Sequence, residues 1–224
     1  MIKETFRRKL CAFRYYFFER KKEKDYYSTC CFDYYKCIFV HIPKCAGISV
    51  ARALFGNNAG GHTSIMQYQR VFPERTLDEY FKFTFVRNPY SRLLSAFQYM
   101  QKGGRNEKDK KWAEKHMKFS SFEDFVLNGI SRFEIINYLH FRPQVSFLID
   151  DRGELKVDFI GRFETLEEDF NKIKNRVKPQ AKLPHLNRSS TTTKDWKARY
   201  TPEMIEVVND LYRFDFEVLG YPFL

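Results

Sequence analysis

Cys37-Ile-Phe-Val-His-Ile-Pro-Lys-Cys-Ala-Gly-Ile-Ser-Val-Ala-Arg-Ala-Leu-Phe55 is the stretch on which the fold turns. Its first six residues form an apolar, β-branched run of strand length. A Pro-to-Gly loop follows at 43–47, and residues 48–55 have helical composition, so the order is strand, tight loop, helix. The pattern returns at Phe83-Thr-Phe-Val86, a buried strand candidate. There Asn88 is a good N-cap and Pro89 suits the first helical position, which predicts a helix to about Met100 with Leu93, Leu94 and Phe97 inward.

Working outward, Gly56 to Gly61 is a flexible break, and residues 62–65 are expected to form a short strand. A helical stretch with Leu77, Tyr80 and Phe81 leads into the strand at 83. Residues 103–118, rich in lysine, read as a mobile surface excursion that would contact an acceptor. Ser120 or Ser121 caps a helix through Leu127, a second helix covers 133–139, and 145–149 and 157–160 are expected strands. Helices at 165–177 and from Thr201 to Leu219 close the chain, the last opened by Thr201-Pro202. Strands alternating with helices predict an α/β, P-loop-like three-layer fold with a central, mostly parallel sheet. The expected organisation is a basic aromatic arm over 1–36 and a single domain over 37–224.

The 224 residues carry 39 Lys and Arg against 28 Asp and Glu, a formal charge of +11, which points to an anionic partner without naming it. Five cysteines, at 11, 30, 31, 37 and 45, give an odd count and no CxxC pair, so reduced thiols are expected and neither a disulfide framework nor a zinc site is. No run of about 18 apolar residues predicts a membrane span. The first 27 residues alternate cations with aromatics but lack the apolar core of a signal peptide; packing on the domain and docking on anionic lipid both remain open for this arm.

Ligands of open parallel sheets bind beyond the carboxyl ends of the strands, where helix N-termini present N–H groups to anions. In Pro43-Lys-Cys-Ala-Gly-Ile-Ser49, Gly47 permits close backbone approach, Ser49 carries a hydroxyl and Lys44 a point charge. The nucleoside-triphosphate loop GxxxxGK[ST] is not met, because Lys44 precedes Gly47 by three positions. Taken alone, the segment is equally an ordinary strand–helix turn with an exposed lysine.

Three stretches together resemble the sulfotransferase superfamily, specifically the carbohydrate sulfotransferases that include heparan sulfate 2-O-sulfotransferase-like and bacterial glycan enzymes: residues 39–49, residues 83–97 and Phe159-Ile-Gly-Arg-Phe-Glu-Thr-Leu-Glu-Glu-Asp-Phe170. With the closing Tyr212-Arg-Phe-Asp-Phe216 they span roughly Ile38 to Tyr221. The resemblance implies 3′-phosphoadenosine 5′-phosphosulfate (PAPS) as donor and no metal. It implies that Lys44, Cys45, Ala46, Gly47, Ile48 and Ser49 hold the 5′-phosphosulfate, that Arg87 and Ser95 grip the 3′-phosphate, and that Arg188 lies on a segment folded over the nucleotide. Cys45 and Ile48 stand where threonine is frequent in the family, which removes hydroxyl donors.

Sulfuryl transfer needs a base for the acceptor hydroxyl and positive charge on the departing oxygen. Lys44 suits the second task. The resemblance places a catalytic histidine near His62, with Glu79 or Glu134 as alternatives, while His41 is expected to point back into the sheet or support the loop. Arg162 is expected to be structural, and Arg142-Pro-Gln144 looks family-like without an assigned role. The expected acceptor is a hydroxyl of a glycan or glycolipid, in a cytoplasmic, possibly membrane-associated setting, or in the Golgi lumen if an anchor precedes this chain. A nucleic-acid partner is not expected. A phosphotransferase with a variant loop, or a non-catalytic binder of anionic membrane or nucleic acid, is the alternative.

Overall fold

The computed structural model describes residues 27–184 and 195–224. They fall into two compact units, one holding the described residues 27–86 and 146–184, the other residues 87–145 and 195–224. The expected arm lies outside the described residues as far as position 26; its last part contains helix α1 (Cys30–Tyr35).

The first unit is built on three parallel strands in the order β1-β2-β3: β1 (Cys37–Val40), β2 (Phe81–Val86) and β3 (Phe159–Arg162). Phe39 pairs with Phe83, and Phe83 with Phe159, so the two apolar runs read from sequence lie side by side. The Thr84 hydroxyl donates to the Val40 carbonyl at 2.7 Å, which satisfies the one polar side chain in the middle of β2. Because side chains alternate along a strand, Phe81 and Phe83 share one face with Phe39 and His41. The rings stack in sequence there: Phe81 on Phe83 at 5.7 Å, Phe83 on Phe39 at 5.0 Å and Phe39 on His41 at 5.6 Å between centroids. Helices α2 (Gly47–Phe55), α3 (Ile65–Gln69), α4 (Glu74–Glu79) and α9 (Leu166–Val177) complete the unit. The α/β class and the parallel sheet flanked by helices are as expected and fit the three-layer arrangement.

The expected strand at 62–65 is instead a helix entry. The Ser64 hydroxyl accepts from the Gln67 N–H while the Gln67 side chain accepts from the Ser64 N–H, a reciprocal cap that starts α3. The expected strand at 145–149 is also absent: Val145–Phe147 is a 3-10 turn, and only Ile149 makes a bridge, to Leu155. The N–H groups of Gln144 and Val145 both donate to the Asp215 carboxylate, at 2.8 and 2.9 Å, so the segment starts out bound to a side chain and not to a neighbouring strand. The later strand begins at Phe159, two residues beyond the expected start.

In the second unit, α5 (Pro89–Gln101) runs as the cap and proline predict, with Asn88 accepting from the N–H groups of Tyr90 and Ser91. Leu93, Leu94 and Phe97 are buried, and Phe97 meets Phe122 and Phe125 of α7 (Phe122–Asn128), whose cap is Ser121. The expected helix over 133–139 is shorter, α8 (Phe133–Ile136), and the C-terminal helix divides into α10 (Pro202–Leu211) and α11 (Arg213–Leu219).

Residues 103–118 are not a loop excursion. They form α6 (Glu107–His116), capped by Asn106 and anchored by Asp109. That carboxylate is buried and accepts from Tyr138 at 2.7 Å, Tyr99 at 2.9 Å and the Asn106 amide at 2.9 Å, with His140 Nε2 at 3.4 Å. Burial alone would raise the Asp109 carboxyl, but hydrogen bonds with His140, Tyr138 and Tyr99 outweigh it and hold the group well below the usual carboxylate range. Trp112 stacks on Tyr138 at 3.7 Å, closing the inner face of α6 and leaving its lysines outward.

Cys30, Cys31, Cys37 and Cys45 are unbridged, and Cys11 lies outside the described residues. Burial pushes the Cys31 thiol up to about 12 and raises Cys37 as well, so neither is a ready nucleophile. Among the described residues no helix is long and apolar enough to cross a membrane.

Candidate functional site

The loop after β1 carries two residues in the left-handed region that are not glycine, Lys44 at φ 70° and Ala46 at φ 61°. Such backbone costs about 1–3 kcal/mol per residue and persists where the surroundings enforce it. Ala46 is the N-cap of α2 and makes no side-chain capping bond. The N–H groups of Ser49 and Val50 return to the Ala46 carbonyl, and the two preceding helical N–H groups, of Gly47 and Ile48, have no acceptor within the helix by its geometry. The positive end of α2 therefore lies beside the half-buried Lys44, an arrangement suited to an anion.

The other loop side chains divide in orientation. Cys45 is buried and its thiol donates to the Pro43 carbonyl at 3.6 Å, so its side chain is used within the loop. Ile48 is half-buried and Ser49 buried.

Gly47 has a structural reason beyond backbone approach to a ligand. A Cβ at that position would lie 1.8 Å from His41 Cδ2, so α2 starts directly against the imidazole. His41 is buried, and its ring centroid lies 4.2 Å from that of His62. His62 Nδ1 lies 2.9 Å from the His41 carbonyl oxygen. A carbonyl oxygen only accepts, so that bond puts the His62 proton on Nδ1 and the imidazole lone pair on Nε2. His41 thus packs against the loop, one of its two expected roles, and its carbonyl also holds His62. The alternative bases are less suited: Glu79 is ion-paired with Arg75 at 2.7 Å on the surface, and Glu134 is exposed on α8.

In the second unit, Arg87 follows β2 directly and is 2% exposed. Its Nε donates to the Ser91 hydroxyl at 2.7 Å. Ser91 lies four residues from Arg87 and four from the half-buried Ser95, so the three follow one face of the α5 start. Gln144, fully buried, spans the Arg87 main chain: its Oε1 accepts from the Arg87 N–H at 2.9 Å and its Nε2 donates to the Arg87 carbonyl at 2.8 Å. The Gln144 N–H and Nε2 also donate to Asp215, at 2.8 and 3.3 Å. Burial pushes the Asp215 carboxyl up, opposed by Arg92 and by the N–H groups of Gln144 and Val145.

Ser91 escaped the sequence reading, while Gln144 and Asp215 stood in family-like stretches without an assigned role. The spacing of four on either side of Ser91 was a signal for it; nothing local links residues 144 and 215 to Arg87. Arg188 lies outside the described residues, as does His185. The backbone N–H of Arg162 donates to Asp169 at 2.9 Å.

A model of a sulfotransferase family matches residues 28–222. The chain is 25% identical to carbohydrate sulfotransferase 12 of Mus musculus, across 70% of this chain and 43% of that protein. It is 27% identical to carbohydrate sulfotransferase 14 of Danio rerio, across 65% and 45%, and 24% identical to carbohydrate sulfotransferase 11 of Rattus norvegicus, across 70% and 51%. The matched region spans about half the length of these curated relatives. No solved structure gives a significant match.

Proposed function

Since the chain belongs to the sulfotransferase family, we propose that it transfers the sulfuryl group of PAPS to a hydroxyl of a carbohydrate. The observation that carries this reading is the start of α2: a strained loop, a helix without a side-chain cap, and Lys44 at the same end. In the reaction, the acceptor oxygen attacks sulfur in line as the bond from sulfur to the 5′-phosphate oxygen breaks. The products are the sulfated sugar and adenosine 3′,5′-bisphosphate. His62 Nε2 takes the acceptor proton, and its Nδ1–H bond to His41 fixes the ring for that task. Lys44 and the α2 N–H groups balance the charge that grows on the leaving phosphate. Arg87 and Ser95 take the 3′-phosphate.

The carbohydrate acceptor is supported by the names of the relatives and by the basic side of the second unit. Lys102, Arg105, Lys110 and Lys118 line a cavity of about 570 Å³ together with Glu107 and Glu114. That size suits one or two sugar units, and its polarity suits hydroxyls.

The deciding experiment measures the binding of adenosine 3′,5′-bisphosphate beside ATP, then turnover of labelled PAPS with glycan acceptors. Preference for the bisphosphate is expected; equal or tighter binding of ATP would favour a phosphotransferase with a variant loop. In the same assays His62→Ala is expected to leave bisphosphate affinity within about twofold and to lower turnover by roughly 10²–10⁴. Unchanged turnover would remove His62 as the base.

A further inference from the structure

We infer that Gln144 is a positioning residue for donor selectivity, holding the main chain of Arg87 so that its guanidinium is set for a 3′-phosphate. The inference rests on the donor reading above and adds to it a residue that touches no part of the donor.

A guanidinium that discriminates by geometry must be fixed at both ends. Ser91 fixes the side chain, by the 2.7 Å bond from Nε. The main chain at Arg87 is a junction, one residue beyond the end of β2 and two before the start of α5, where neither ladder nor helix has yet taken up its polar groups. Gln144 occupies that gap with a two-point contact, accepting from the N–H at 2.9 Å and donating to the carbonyl at 2.8 Å. A side-chain amide offers an acceptor and a donor at that separation without a charge at any pH, which a carboxyl does only when protonated.

Gln144 is itself held. It is 0% exposed, its own N–H and its amide Nε2 both donate to Asp215, and Asp215 is also fully buried. The donor to Asp215 and to the Arg87 carbonyl is the same NH₂ group, which fixes which way the amide is turned. Burial makes these bonds costly to leave unmade, so the Arg87 backbone has one conformation available and the guanidinium one origin.

The test is a ratio. Wild-type protein is titrated with adenosine 3′,5′-bisphosphate and with adenosine 5′-monophosphate, which lacks the 3′-phosphate, and the variants Gln144→Ala, Gln144→Glu and Ser91→Ala follow. The expected result is that Gln144→Ala lowers the preference for the bisphosphate by about tenfold or more, the scale of a lost buried hydrogen-bond pair, while affinity for the monophosphate stays within twofold. Gln144→Glu keeps the shape and, when protonated, the donor to the Arg87 carbonyl; its preference is expected to recover as pH is lowered, which a purely structural role would not produce. A Gln144→Ala protein that melts earlier but keeps the wild-type ratio overturns the inference, as does a Gln144→Glu ratio that ignores pH. If Gln144→Ala fails to fold, Gln144→Glu and Ser91→Ala decide. A wild type with no preference for the bisphosphate overturns the donor reading itself, a different outcome from a preference that survives loss of Gln144.

Discussion

Gly47→Ala is expected to lower both stability and turnover, through a clash that has nowhere to go. The new methyl group would sit 1.8 Å from His41 Cδ2 and 2.2 Å from its Nε2. The imidazole cannot swing aside freely, because Phe39 stacks on it at 5.6 Å and the His62 ring lies at 4.2 Å. Either the ring moves into its neighbours or the start of α2 lifts off the loop. Overpacking of this kind costs about 1–3 kcal/mol, which in a protein of this size is a fall of several degrees in melting temperature. Turnover is expected to drop by at least about tenfold, since the displaced residue is the one whose carbonyl orients His62. The double variant His41→Ala with Gly47→Ala should regain part of the stability and little of the activity. A Gly47→Ala protein that melts and turns over as wild type would show that the contact imposes no constraint.

The second large effect separates activity from stability at one residue. Lys44 has φ 70°, a conformation that glycine adopts without penalty. Lys44→Gly is therefore expected to fold at least as stably as Lys44→Ala, while both lose about 10²–10³ in turnover with the charge that meets the leaving phosphate. Urea denaturation and steady-state rates of the two variants provide the check. If Lys44→Gly retains wild-type turnover, the charge has no role in the chemical step.

The parts of the fold that sequence revealed are those where local chemistry is decisive. The apolar runs at 37–40 and 81–86, the Asn88-Pro89 start of α5 and the Ser121 cap each specify their element within a few residues. The misread segments are governed by distant partners. Residues 103–118 look like solvent-exposed polar chain because their lysines are outward; the burial of Asp109 depends on Tyr99, Tyr138 and His140, up to 31 positions away. Residues 145–149 have strand-like composition, but Asp215 takes the first N–H groups. Ser64 is the exception, since its Ser-x-x-Gln cap is a local signature of a helix start. The site divides in the same way. Lys44, Gly47 and Arg87 stand out as candidates through the family-like stretches that carry them, whereas the tautomer of His62 is set by a carbonyl 21 residues away, and the hold on Arg87 by residues 57 and 128 positions distant.

If the start of α2 holds the donor as proposed, the protein becomes a thermodynamic sensor of its own occupancy. A helix that opens on Ala46 gives up the roughly 1 kcal/mol that a hydroxyl or carboxamide cap would contribute. An anion seated on its first N–H groups would supply an acceptor that the cap residue does not. Binding and folding then draw on the same free energy: ligand at a hundred times its dissociation constant adds about 2.7 kcal/mol to the folded state. On that reading the unliganded protein would be the labile one, and its lifetime in a cell would follow the supply of the donor.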